Sequence, residues 1–151
     1  MPDKEDRETE ARARADARAG KAPTTQAGEF VREEMHHIRE GRHGARSSKQ
    51  AIAIGLSKAR RAGVKLPPPQ RGRASQKTRR NAQRAYEQGQ KRSRPKPSAK
   101  RSKARLSVLQ REGRGAASHR ALSRQARSSA RRRGPANRSA AARKAAATRK
   151  R

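Results

Sequence analysis

Large apolar side chains are scarce in this chain. Its 151 residues include three Ile, three Val, five Leu and one Phe, about 8% of the total. A highly charged chain with less than roughly 20% of such residues is expected to be disordered over much of its length. The hydrophobic fraction of 29% is mostly alanine, which favours helix but buries little area per residue. One ordinary domain would suit the length. The composition instead predicts an all-α chain of short helices with one small core and much solvated chain.

Charge sets the second constraint. Lys and Arg number 43 against 12 Asp and Glu, a formal net charge of +31. Residues 1–40 hold 8 basic and 10 acidic residues. Residues 41–151 hold the other 35 basic residues and only Glu87 and Glu112 as acids. Self-repulsion on this scale opposes a compact fold and calls for a polyanionic partner. The asymmetry marks a basic nucleic-acid arm joined to a near-neutral segment.

Glycine and proline divide the chain into blocks. Residues 3–19 read as a charged, Ala-rich helix stopped at Gly20, so residues 1–22 form a first unit. Residues 20–24 read as a loop. Thr24 or Thr25 can cap the next helix. There Ala27, Phe30, Val31, Met35 and Ile38 fall on one stripe, with Arg32, Glu33, Glu34 and Glu40 mostly off it. Gly41 is the natural residue past its end. Ser47 with Gln50 fits a capping box that opens another helix through Ile52 and Leu56. Val64 and Leu66 can fold back on that face before Pro67-Pro68-Pro69 imposes an extended stretch.

Residues 25–66 are thus the best candidate for an ordered helical hairpin, within a unit drawn at 23–66. Phe30, Val31, Met35, Ile38, Ile52 and Leu56 form its core or a self-association face. A hairpin of this size is barely stable alone. Residues 67–135 follow as basic helices between Pro and Gly linkers. One is capped at Ser75 and ends at Gly89. A second is capped at Ser98 and carries Leu106, Val108 and Leu109. A third spans 116–133 and stops at Gly134-Pro135. Residues 136–151 form an Ala/Arg/Lys/Ser tail expected to be disordered when free.

The basic region carries the functional expectation. Arg outnumbers Lys 31 to 12, and arginine forks onto phosphates and enters narrow minor grooves. The candidate nucleic-acid contacts are Lys58, Arg60, Arg61, Arg79, Arg80, Arg92 and Arg94. In the later helices they are Lys100, Arg101, Lys103, Arg105, Arg127, Arg131, Arg132 and Arg133. Ala51-Ile52-Ala53-Ile54-Gly55-Leu56-Ser57 reads either as the heart of a helix-turn-helix or as one helix tolerating a glycine. Arg92-Ser93-Arg94-Pro95-Lys96-Pro97 resembles an AT-hook core, with Ser93 in place of the glycine that permits close approach. It also reads as a basic proline-rich linker. Aromatic residues are nearly absent, which argues against modules that read single strands by stacking.

Other chemistries find little support. With no cysteine, disulfides and thiolate metal sites are excluded. Glu33 with His37, and His36 with Glu40, are i,i+4 pairs able to grip a metal, but a third ligand is not evident in the sequence. Salt-bridging surface histidines are therefore expected, and no metal site. No phosphate-cradling glycine loop and no triad is evident, so neither an enzyme nor a cofactor is expected. Met1-Pro2-Asp3-Lys4-Glu5-Asp6 lacks the basic and apolar regions of a signal peptide, and no apolar run approaches a membrane span. A cytoplasmic, nucleoid-associated protein with no membrane partner is expected.

Thr24-Thr25-Gln26-Ala27-Gly28-Glu29-Phe30-Val31-Arg32-Glu33-Glu34, with Ser48-Lys49-Gln50-Ala51-Ile52-Ala53-Ile54-Gly55-Leu56-Ser57-Lys58-Ala59-Arg60-Arg61-Ala62-Gly63-Val64-Lys65-Leu66-Pro67, resembles a family of short basic bacterial proteins. That family is of unknown function and is sometimes labelled DNA-binding on composition. The stretch 116–126 also looks familiar, so the resemblance covers roughly residues 20–130. It implies a bacterial source and a single unit, and carries over no catalytic or binding residue. The expected function is sequence-tolerant nucleic-acid binding, with double-stranded DNA favoured over RNA. An RNA- or ribosome-associated protein, or an adaptor that uses residues 25–66, are the alternatives.

Overall fold

Helix α2 (Pro23–Glu40) organises the fold, because its apolar stripe meets three different partners. A computed structural model describes residues 4–91, 93, 96 and 98–149. Before α2 comes α1 (Lys4–Arg18). After it come α3 (Ser48–Arg61), α4 (Gln76–Gln90), α5 (Ala99–Gln110), a 3-10 turn (Gly115–Ala117) and α6 (His119–Arg149). Among the described residues there is no strand. The fold is all-α.

The N-terminus of α2 differs from expectation. Pro23 is its first residue, Ala22 stands at the cap, and no side chain caps it. A first-turn proline suits this place, since its missing N–H would have no intrahelical partner and its φ is already helical. Gly41 closes the helix in the left-handed conformation, its N–H directed to the Ile38 carbonyl. Ser47 caps α3 as expected and accepts from the Gln50 N–H at 3.2 Å. The reciprocal bond is displaced by one residue: Gln50 Oε1 accepts from the Arg46 N–H at 2.7 Å.

α3 is one helix through Gly55, with no turn there, so the helix-turn-helix reading fails. Gly55 serves packing instead. A Cβ at this position would lie 2.7 Å from the Val31 Cα and 3.0 Å from the Val31 N. Only the absent side chain lets α3 approach the α2 backbone so closely. Ser48, Ala51, Gly55 and Ala59 are all buried on that face.

The small core is therefore built chiefly of alanine. Of the thirteen buried hydrophobic residues among those described, nine are alanines. Each covers little area, but small side chains let the helices pack backbone against side chain. Two clusters flank the crossing. Phe30 and Ala27 pack with Ala13 of α1, Ala59 of α3 and the returning Val64, with Leu56 and Leu66 at the margin. Met35 and Ile38 pack with Ala45, Ala51, Ala116 and Ala117, with Val31, Ile52 and Leu122 at the margin. Phe30, Met35 and Ile38 are fully core, while Val31, Ile52 and Leu56 are half-buried.

The second cluster draws in a segment far along the chain. The Ser48 hydroxyl donates to the Ala116 carbonyl at 2.5 Å, and Arg39 Nε donates to the Ala117 carbonyl at 3.0 Å. The Gly44 N–H donates to the Leu109 carbonyl and the Ala45 N–H to the Gly113 carbonyl. Residues 109–122 thus complete the hairpin, rather than lying apart in a separate basic region. α1 also docks on α2, through buried Thr9 and Ala13 and an Arg12–Glu29 ion pair at 2.8 Å. This tertiary packing supports a helix that would be marginal alone.

α4 lies on α3 through Ala82, Ala85 and Gly89. Gly89 does not end this helix, which continues to Gln90. It is buried where any Cβ would collide with the Arg60 carbonyl oxygen. α5 and α6 bury no residue. Within α6, Gly134 (φ 78°, ψ 167°) breaks the helical path before Pro135. The stretch read above as a disordered tail is helical here to Arg149. Its helicity rests on the propensity of Ala, Arg and Lys alone, since nothing is buried against it.

Candidate nucleic-acid interface

α6 presents a row of arginines. Arg124, Arg127, Arg131 and Arg132 line one shallow concavity together with Ser128. Spacings of three and four residues bring Arg124, Arg127 and Arg131 onto one side of the helix, and Arg132, four residues past Ser128, flanks it. Arg132 donates to the Ser128 hydroxyl at 3.1 Å. Arg127, Arg131, Arg132 and Arg133 were expected contacts, and all are exposed. Arg124, overlooked in the sequence, shares the concavity of Arg127, Arg131 and Arg132, and its three-residue offset from Arg127 was the signal that pointed to it.

Lys100, Arg101, Lys103 and Arg105 of α5 are exposed, as is Arg80 of α4. Arg105 stands near enough to Arg61 to matter electrostatically. Desolvation first, and then the like charge of Arg105, lowers the Arg61 pKa from its ordinary value. Arg61 is also held by a 3.3 Å bond to the Ser57 carbonyl.

Three expected contacts have other partners. Arg60 is 6% exposed and donates to the Leu66 carbonyl at 3.1 Å and the Pro67 carbonyl at 3.2 Å. It clamps the returning strand of chain onto α3, and burial lowers its pKa. Lys58 turns inward, its ammonium 3.0 Å from Glu34. Arg79 is half-buried and donates to the Pro69 carbonyl at 3.1 Å. Arg92 and Arg94, with most of the AT-hook-like segment, lie outside the described residues.

A second constellation sits on α2 and the loop that follows it. Glu33, Glu34, His37 and His43 are all buried, Glu34 completely. The sequence reading placed both glutamates off the apolar stripe and the histidines on the surface. Glu34 in fact falls seven residues after Ala27 and four before Ile38, and so belongs to the stripe by period. Only His36 of the adjacent histidines is exposed. His43 Nε2 is 3.2 Å from Glu34 Oε1. His37 Nε2 is 3.2 Å from Glu5 Oε2 and 3.9 Å from Glu33 Oε1. Arg42 pairs with Glu5 at 2.5 Å, and that hydrogen bond is the main reason the Glu5 pKa is lowered. Burial raises the pKa of Glu33.

Residues 23–71 match the model of a family of unknown function, DUF6496. No curated protein and no solved structure matches the chain. The matched DUF6496 segment takes in α2, α3, Val64 and Leu66 and the proline run. All of Glu33, Glu34, His37, His43 and Lys58 lie inside it. The exposed cations of α4, α5 and α6 lie outside it. Among the described residues, no helix is long and apolar enough to cross a membrane.

Proposed function

We propose that this chain is a sequence-tolerant nucleic-acid-binding protein with duplex DNA as its favoured partner, acting in association with the nucleoid. One observation carries the reading. Beyond residue 40 the sequence holds 35 Lys and Arg but only Glu87 and Glu112 as acids, so the cations on α4, α5 and α6 cannot be balanced from within. In the N-terminal part, by contrast, acids meet bases in pairs such as Arg12–Glu29, Arg14–Glu10 and Lys21–Asp16.

The geometry of α6 supports a phosphate ligand. Arg124 to Arg132 spans about 12 Å of helix axis, and a duplex carries about one phosphate charge per 1.7 Å of its length. Four guanidinium forks along such a helix suit a groove edge lined with phosphates. Single strands are less well served. Phe30 is buried in the core and Tyr86 is half-buried, so no row of aromatics offers a stacking platform. The hairpin with its docked segment acts as a platform, and the basic helices reach from it to the polyanion.

The test is a mobility-shift titration of the full chain on duplex DNA and on structured RNA across a salt series. Affinity for DNA should fall steeply, with a log–log slope of about −0.9 per phosphate contacted. Replacing Arg124, Arg127, Arg131 and Arg132 together by Ala should flatten that slope by up to about 3.6, four such contacts. Tighter binding to structured RNA would move the assignment to RNA. Negligible binding to both polymers near about 0.15 M salt would sink the proposal, since counterion release still drives such contacts there.

A further inference from the structure

We propose that Glu34, His37 and His43 form a binding site for a divalent transition-metal cation, with Zn2+ the best fit. One donor atom from each of the three residues lies within 4.8 Å of the other two. Two imidazoles and a carboxylate are a donor set that zinc accepts in proteins, and imidazole suits the borderline divalent cations generally. Metal–ligand bonds of about 2.1 Å in a tetrahedron place neighbouring donors about 3.4 Å apart. His43 Nε2 and Glu34 Oε1 already stand at 3.2 Å.

The hydrogen bonding of His43 strengthens the case. His43 Nδ1 lies 3.1 Å from the Gly44 carbonyl oxygen. A carbonyl only accepts, so Nδ1 is the donor there, and Nε2 is the ring nitrogen that faces the Glu34 carboxylate. Histidine ligands are commonly held in this way, the second ring nitrogen donating to a backbone carbonyl. Glu34 is fully buried and neither of its oxygens accepts a hydrogen bond of good geometry. The Lys58 ammonium approaches Oε2, which leaves Oε1 turned to His43.

The ligands come from α2 and from the loop that follows it. His37 also belongs to a second such group with Glu5 and Glu33, and the fourth position of a tetrahedral ion held by Glu34, His37 and His43 would fall to water. The same loop receives the C-terminal end of α5 through Gly44 and Ala45. A metal here would fasten the platform from which the basic helices depart. The inference is independent of nucleic-acid binding, and either can fail without the other.

The test uses the full chain, stripped with chelator and then freed of it. Calorimetric titration with ZnCl2 should show saturable uptake of about one ion per chain, and added Zn2+ should raise the thermal midpoint. Titration with Co2+ should give the intense ligand-field absorption of a four-coordinate site rather than the weak bands of the hydrated ion. His43→Gln and Glu34→Gln should each weaken Zn2+ binding by at least about tenfold, the loss that even an outer-shell partner causes. Circular dichroism of each variant checks that its helices persist. His36→Gln and His119→Gln, both at exposed positions, should bind as the parent does. A Co2+ spectrum of the unaltered chain identical to that of the hydrated ion would overturn the proposal without reference to any variant. So would Zn2+ binding that survives His43→Gln, or that disappears with the two exposed histidines.

Discussion

Two glycines of the hairpin test the helix crossing against each other. Gly28 and Gly55 both lie inside helices, α2 and α3. Replacing a helix-interior glycine by alanine gains about 1 kcal/mol from propensity alone. At Gly28 an added Cβ meets nothing within 4 Å, so Gly28→Ala should stabilise the protein by about 0.5–1 kcal/mol. At Gly55 the same methyl group stands 2.7 Å from the Val31 Cα, against an ordinary carbon–carbon separation of about 3.5–4.0 Å. The obstacle is backbone, so the two helices must part by roughly 1 Å. Overpacking of this kind costs about 1–3 kcal/mol. Gly55→Ala should therefore fall about 1–3 kcal/mol below Gly28→Ala in stability, because the propensity gain is common to both. The cooperative thermal transition, followed by circular dichroism on the full chain, reads the difference. For an ordered unit of 60–100 residues each kcal/mol moves the midpoint by about 4–8 °C. If both variants shift upward together, α2 and α3 do not cross in this close contact, and the alanine-lined core described above is wrong.

Arg60→Ala should destabilise the protein by about 1.5–3 kcal/mol in urea unfolding, because a buried guanidinium with two carbonyl acceptors is lost. Its effect on DNA affinity, measured where the variant is still folded, should be small beside that of removing the arginines of α6. Ser48→Ala removes the buried bond to the Ala116 carbonyl and should cost about 1–3 kcal/mol. Hydrogen exchange at residues 115–122 should accelerate more than at α1 if that bond docks the segment. Ile38→Ala, at a fully buried position, should cost about 2–5 kcal/mol. Equal stability of that variant and the parent would remove Ile38 from the core.

Much of the hairpin was legible from local rules. A period of three to four residues located Phe30, Met35 and Ile38, and the Ser47 cap and the Gly41 stop follow from backbone groups that lack helical partners. Val64 and Leu66 return to the core as their apolar character requires. Charge counting alone separated a neutral N-terminal part from a basic remainder. These features depend on residues close in sequence or on totals, and neither needs a three-dimensional arrangement to be read.

What the tertiary structure decided lies at long range. Whether Gly55 marked a turn or a crossing depended on Val31, a residue of another helix. Arg60 and Lys58 carry the same charge as Arg131. Their partners, the Leu66 and Pro67 carbonyls and Glu34, become visible only once the chain folds back. The second histidine of the buried cluster, His43, came from a loop past the end of α2, beyond any spacing rule along that helix. Ala116 and Ala117 entered the core because hydrogen bonds from Ser48 and Arg39 hold their carbonyls there. Local sequence determines which segments become helices, through backbone geometry and the period of apolar residues. Which side chains end in water and which in the core is set by what the other helices bring against them.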